Sequence, residues 1–491
     1  MILRHRQDKT ISPEKRTARI SWGATLAASF LATAVAGGCA IEKYRPAPLA
    51  PIVTARKLES RRLTDPGLKQ FLEVNFGHPV SPWPLDQWEL RTLTLAALYF
   101  NPNVEIAREQ FRVAQGGIIT AGEHPNPSIG LTPGVPSPWL FDFPFVFPIE
   151  THGKRRLRIE QATKLSSAAR FALAEAQWRV ASDVRKTLLA YQVARANLAL
   201  EQSSEVLETT HVRLLETLLS TGEGPRPTFE TARLALANTR FQIRVDDVQV
   251  ATTKAALAGA IAIPINALDG VRIVWPDIEQ LPSVASLSPQ RIVRDAVLNR
   301  LDVRRALDQY AAADAQLRLE IARQYPNFNI GPGYQYEEGN NFFTIPFSMV
   351  LPIRNRNQGP IAQAEALRKE AAANFLAVQA RAIAQSQQAL AAYRSTFAEL
   401  NQANEPLRAQ RRRVTLAEQA VTAGEADNLE LNTLQLENVV YARQHLVALA
   451  QAQAALGALE DSVEKPLGPE VSILPSRAAA STTNGPKEAA R

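Results

Sequence analysis

From Lys154 to Thr221 the chain contains neither glycine nor proline. As one helix, these 68 residues would reach ~100 Å at 1.5 Å per residue. That is far beyond an ordinary globular helix and restricts the segment to a coiled coil or a helical tube. Uninterrupted stretches recur at Thr228–Ala258, Gln290–Gln324 and Ile361–Glu405. Pro406 follows the last of these, and a kink or restart is expected there because proline removes a helix donor. Gly222 and Gly424 read as turns between long antiparallel helices.

These segments belong to an internal duplication with a period of about 200 residues. "NVEIAREQFRVAQ" parallels "DVRRALDQYAAAD", and "HPNPSIGLTPGV" parallels "YPNFNIGPGYQY". "FVFPIETHGKRRLRIEQA" parallels "MVLPIRNRNQGPIAQAEA", and "STGEGPRPTFETARL" parallels "TAGEADNLELNTLQL". Each half reads as helix, two strand-like pieces, very long helix, turn and long helix. The expected boundaries are 86–285 for the first repeat, with strands at about 127–149, and 286–466 for the second, with strands at about 326–352. Residues 39–85 are proline-rich and read as an extended arm, while 467–491 read as a disordered polar tail.

The strand-like pieces alternate. Phe141, Phe143, Phe145 and Phe147 stand at every second residue, with Asp142, Pro144, Val146 and Pro148 between them. Ile129, Leu131, Pro133 and Val135 alternate with Ser128, Gly130, Thr132 and Gly134. Phe328, Ile330, Pro332, Tyr334 and Tyr336 do so with asparagines, glycines and Gln335; Phe343, Ile345, Phe347, Met349 and Leu351 oppose Phe342, Thr344, Pro346, Ser348 and Val350. Strand side chains alternate faces, so each piece has an apolar face and a largely small or polar one. Each is about as long as a tilted transmembrane strand requires, and the pattern fits a lipid-facing exterior over a wet lumen. Surface hairpins packed on helices also alternate and are the competing reading. Prolines such as Pro144, Pro346 and Pro352 must lie at bulges, strand ends or positions without a paired N–H. Four strands cannot close a barrel, since the smallest have about 8 and an open edge is prohibitive in hydrocarbon. Several copies must therefore share one barrel, with the helices forming a shared tube below it.

The N-terminus reads as a secretory signal over 1–38. Basic residues precede the apolar "GATLAASFLATAVAGG", which leads to Cys39, the one cysteine. "AGGC" resembles a bacterial lipobox, which makes Cys39 a candidate lipidation site; plain signal cleavage is the alternative. The residue after it, Ala40 rather than Asp, fits sorting to an outer membrane by the same resemblance. The net charge of +7 is dispersed among acids along helical stretches, which argues against nucleic-acid binding. Six histidines, two methionines and one cysteine are too scattered for a metal site, and His124, His152 and His211 share no ligand spacing. No catalytic motif is present, so no enzyme and no cofactor are expected. "THGKRRLR" reads as a basic turn entering the long helix, able to hold lipid headgroups or cap strand ends, with a plain solvated turn as the alternative.

Taken in order, "NPNVEIA", "HPNPSIGL", "PIETHGKRRLRIEQA", "YPNFNIGPGYQY", "LPIRNRNQGPIAQAEA" and "TAGEADNLELNTLQLE" resemble the outer-membrane channels of tripartite efflux pumps, the TolC-like family. The branch associated with heavy-metal cation export is the most similar, although it usually has Gly where His152 stands. The resemblance implies a mainly α fold with a small transmembrane β part. It implies a homotrimer with a twelve-stranded barrel in outer-membrane lipid and a periplasmic helical tunnel. Its partners would be a periplasmic adaptor and an inner-membrane RND transporter, and it would passively conduct substrate without a cofactor. Drug efflux, type I secretion and a pore-free lipid-anchored helical scaffold are the alternatives. The resemblance places adaptor-contact tips at Gly222, Glu223 and Gly424. It places an acidic aperture at Glu430, with Asp427 or Glu425 replacing a second acid that falls near Thr433. The barrel's lipid face would comprise Phe141, Phe143, Phe145, Phe147, Phe328, Tyr334, Tyr336, Phe343 and Phe347.

Overall fold

The computed structural model describes residues 43–134 and 140–467. The signal segment, Cys39, Val135 and the C-terminal tail from residue 468 lie outside the described residues. Two compact units are distinguished, residues 1–56 and 57–491. Of the first, the described part carries the start of helix α1 (Pro51–Glu59); everything below concerns the second.

Helix α2 (Pro66–Phe76) begins at Asp65, whose carboxylate accepts from the Gly67 and Leu68 amides at 2.7 and 3.2 Å, with Pro66 pre-set at the first turn. Left-handed Gly77 ends it. The expectation of an extended arm over 39–85 therefore gives way to two helices. α2 is held by Leu68 and Leu72, which are fully buried in a core built around Trp88, Leu93, Leu188, Leu257 and Ile261.

The two repeats follow one another element by element. In the first, α3 (Leu90–Phe100) and α4 (Pro102–Gly122) lead to β1 (Ser128–Ile129), β2 (Thr132–Gly134) and β3 (Leu140–Ile149), then to α5 (Lys154–Ser220) and α6 (Arg226–Ile261). In the second, α7 (Pro289–Asn299) and α8 (Leu301–Ala322) lead to β4 (Phe328–Ile330), β5 (Gly333–Glu337), β6 (Asn340–Thr344) and β7 (Phe347–Met349), then to α9 (Gln358–Ala423) and α10 (Asn428–Val463). The long helices have 67 and 66 residues, about 100 Å each. Both start after a left-handed residue, Gly153 at φ 67° and Asn357 at φ 63°, which turns the chain out of the sheet.

Two helix expectations need correction. The stretch 290–324 is not one helix: Arg300, at φ −57° and ψ 133°, separates α7 from α8. Its guanidinium pairs with Asp302 at 2.7 Å. The Leu301 amide, left without a helical partner, donates to Glu464 at the end of α10. By contrast, α9 runs through Pro406 without interruption. Gln402 and Pro406 are both exposed, so water can satisfy the carbonyl that proline leaves without a donor.

α5 packs on α6, on α10 and on α8; α9 packs on α10 and α8. Asn197 on α5 donates to Asp246 on α6 at 2.8 Å. Arg443 on α10 meets Glu201 on α5, and Gln410 on α9 donates to Glu437 on α10 at 3.1 Å. The most buried polar link joins the repeats near the broad ends of the hairpins. Arg185 on α5 ion-pairs with Glu460 and, at 3.0 Å, with Asp461, and donates to the Gly457 carbonyl at 2.8 Å. Asp461 also accepts from Trp178 and Ser182 at 3.1 and 2.6 Å. Gly457 leaves room for this: a Cβ there would come within 3.1 Å of the Arg185 Nε.

Candidate functional site

The seven short strands are four antiparallel strands crossed by local breaks. β1 and β2 pair with one side of β3, and β4 and β5 with the other; β7 and β6 pair with β4 and β5. The register does not slip at the breaks. Ile330 pairs with Phe147, and Tyr334, four residues on, pairs with Phe143, four residues back. The prolines therefore do not sit at bulges. Pro332 and Pro346 lie in the breaks themselves, Pro352 lies beyond β7, and Pro144 stays within β3 opposite Gly333. Pro144, Pro332 and Pro346 remove ladder donors without shifting the pairing.

Cα partners share a face, so the register assigns the faces. Ile129, Pro133, Phe141, Phe143, Phe145, Phe147 and Ile149 continue across the sheet into Phe328, Ile330, Tyr334 and Tyr336, then Phe343, Phe347 and Met349. Ser128, Thr132, Asp142, Asn329, Gln335, Thr344 and Ser348 occupy the other face, with Phe342 as the aromatic exception. All nine aromatic residues singled out from the sequence thus lie on one face. That face is open: Phe343 is 89% exposed, and Phe141, Phe147, Tyr336 and Phe347 are exposed as well. Within the chain the β1/β2 and β6/β7 edges have no further strand beside them among the described residues.

The basic turn fixes the sheet to the helices. His152 and Gly153 both adopt positive φ, and the His152 ring stacks on Tyr325. Lys154 Nζ donates to the Tyr325 carbonyl at 2.6 Å. Arg158 pairs with Glu150 and donates to the Ala121 carbonyl, while Arg155 donates to that of Gly122. These cations cap the end of α4, where helix carbonyls lack donors. The end that Arg155 and Arg158 cap is that of a helix and not, as the sequence suggested, of a strand.

At the opposite end of the helices are the two hairpin turns. Gly222 adopts φ 82°, and the Glu223 amide returns to the Leu218 carbonyl at 2.9 Å. Gly424 adopts φ 76°, and the Glu425 amide returns to Ala420 at 2.8 Å. Asp427 caps α10 by accepting from the Leu429 amide at 3.0 Å, with Glu430 in the first turn. Glu425, Asp427 and Glu430 are all exposed. Among the described residues no group of three or more His, Cys, Asp or Glu side chains is placed to hold a metal ion, and no helix is long and apolar enough to cross a membrane.

A cluster missed from the sequence surrounds Glu464, which ends α10 at φ 48°. Burial, with Asp302 and Glu175 nearby, pushes its carboxyl from the ordinary 4.5 up to about 7, against the Leu301 amide and Arg300. A carboxyl whose pKa is higher in the folded state favours folding while protonated. Its contribution is complete below about pH 4.5 and is lost as pH rises through about 7. Glu464→Gln is expected to flatten the fall in thermal midpoint between pH 5 and 8; an unchanged slope would remove Glu464 as its source.

No family model matches the chain. It is 24% identical over 287 residues to the cobalt-zinc-cadmium resistance protein CzcC of Cupriavidus metallidurans, covering 57% of this chain and 67% of that protein. Among solved structures it superposes on the outer membrane protein VceC of Vibrio cholerae with TM-score 0.59 and 18% identity, over 77% of this chain and 96% of that one. The open state of the MtrE outer membrane channel of Neisseria gonorrhoeae matches with TM-score 0.60 and 16% identity, over 77% and 89%. The chain has the fold of the TolC-like outer-membrane channels. The fold expected from the sequence, mainly helical with a small antiparallel sheet, is the one observed.

Proposed function

We propose that this protein is the outer-membrane exit duct of a tripartite RND-type efflux system. One observation carries the reading: a sheet with one apolar and one polar face, both edges without a further strand among the described residues, rises from two helical hairpins some 100 Å long. Three copies supply twelve strands, enough to close a barrel whose aromatic face meets lipid. The helices form a periplasmic tunnel, and Cys39 tethers the chain to the membrane. The turns at Gly222, Glu223 and Gly424 meet a periplasmic adaptor that bridges to the inner-membrane transporter, and Glu425, Asp427 and Glu430 line the narrow end. The duct conducts passively and performs no chemistry. Likeness to a cobalt-zinc-cadmium resistance protein supports heavy-metal cations as the cargo.

Deleting the gene is expected to sensitise its host to zinc, cobalt or cadmium and to leave tolerance of organic drugs intact. Sensitivity to organic compounds alone would overturn the metal assignment. A water-soluble single-copy protein released by cutting the lipid tether would overturn the duct.

A further inference from the structure

We infer that Phe342 lines the lumen of the assembled barrel and narrows the duct at its outer mouth. This deepens the duct reading and rests on it. Phe342 is the aromatic exception on the polar face of the sheet, and it is 46% exposed. Direct pairing sets it in one row with Gln335, Asp142 and Thr132, one residue from each of the four strands. Cα partners in a row project to the same side. With the aromatic face against lipid, this row projects into the lumen.

Side-chain size locates the narrowing. Toward the helices the same face carries Pro144, Gly333 and Thr344 in one row and Pro148, Asn329 and Ser348 in another. These side chains are short or absent, and at Gly333 a Cβ would press into the Thr344 hydroxyl. Phe342 lies at the far end of the sheet, beside the turn at Glu338 and Gly339. Met349, where β7 ends, is seven residues on, or ~23 Å along the strand at ~3.3 Å per residue. Rotation about the barrel axis keeps the Phe342 rings of the three copies at one height. Twelve strands ~4.8 Å apart and tilted by ~40° wrap a backbone cylinder ~24 Å across. Three rings projecting inward at one level therefore constrict it. The charges beside them are acidic. Asp142 shares the row, and Glu337 shares the face, where its Oε2 accepts from Gln335 Nε2 at 3.3 Å. No Lys or Arg stands in any of the seven strands. Acidic walls favour cations in a pore, and the face of an aromatic ring attracts them. The collar thus passes small hydrated cations and hinders larger solutes entering from outside.

The test uses the full chain purified from outer membranes and reconstituted in a planar lipid bilayer. Phe342→Cys is expected to lose most of its current when a cationic methanethiosulfonate reagent is added at the outer mouth. Phe343→Cys, one residue on and facing lipid, is expected to keep its current, as is the parent protein. Polyethylene glycols of increasing size, added on the same side, gauge the opening. Phe342→Ser is expected to admit a larger polymer than the parent, and Phe342→Tyr, which keeps the ring, to have the parent's limit. Loss of current in Phe343→Cys but not in Phe342→Cys overturns the lumenal assignment. An unchanged polymer limit in Phe342→Ser overturns the narrowing. In both cases a conducting, multi-copy parent leaves the duct standing. A parent protein that is single-copy or carries no current overturns the duct and the collar together.

Discussion

Arg185→Met is expected to destabilise the protein by about 3–5 kcal/mol, the usual penalty for stranding one partner of a buried ion pair. Arg185 and Glu460 are both nearly inaccessible to water. Without the guanidinium, Glu460 loses its ion pair, while the Leu467 amide still donates to its Oε1 at 2.7 Å. Asp461 retains Ser182, Trp178 and Lys186. Arg185→Met with Glu460→Met is expected to regain most of the loss, since an apolar pair of similar volume strands no charge. Thermal unfolding of the four proteins of this cycle, followed by circular dichroism, measures the coupling. A single Arg185→Met variant with an unchanged midpoint would show that the link between the repeats is dispensable.

Gly331→Val is expected to abolish assembly in the membrane. Gly331 lies in the break between β4 and β5, where a Cβ would press into the Phe145 carbonyl. That obstacle is backbone, held in place by the Phe145 amide donating to the Pro332 carbonyl at 2.9 Å, so it cannot rotate away as a side chain would. The β3 to β4/β5 pairing joins the strands of the two repeats, and its loss splits the sheet. The heat-modifiable form on unboiled gels should disappear, with the chain missing from the outer-membrane fraction. Gly359→Ala, which meets nothing within 4 Å, serves as the control and should behave as the parent protein. Wild-type migration of Gly331→Val would show that the repeats need not pair there.

Much of this architecture was legible because its signals are periodic and local. The alternating phenylalanines of β3 announce a two-faced strand in ten residues. The 67 residues of α5 lack a helix breaker, and the duplication repeats each element at nearly constant offset. What stayed hidden depends on residues far apart in the chain. The break at Arg300 has no glycine or proline to mark it, and the Leu301 amide it frees is taken up by Glu464, 163 residues away. The helices before residue 85 looked like an arm because prolines dominate the composition. Two of those prolines stand instead at the first turns of α1 and α2, where a missing donor costs nothing. At the tips, exposed Glu425, Asp427 and Glu430 look alike in sequence, and the geometry separates only Asp427, as a helix cap.

The constant register across the proline breaks has a consequence for inheritance. In the proposed duct, a chain whose own sheet is intact depends on neighbouring copies to satisfy both margins, so a faulty copy damages the sound ones it joins. Alleles that spoil one margin, β1/β2 or β6/β7, should act dominantly over a wild-type gene in the same cell, whereas alleles that prevent the chain from folding at all should be recessive.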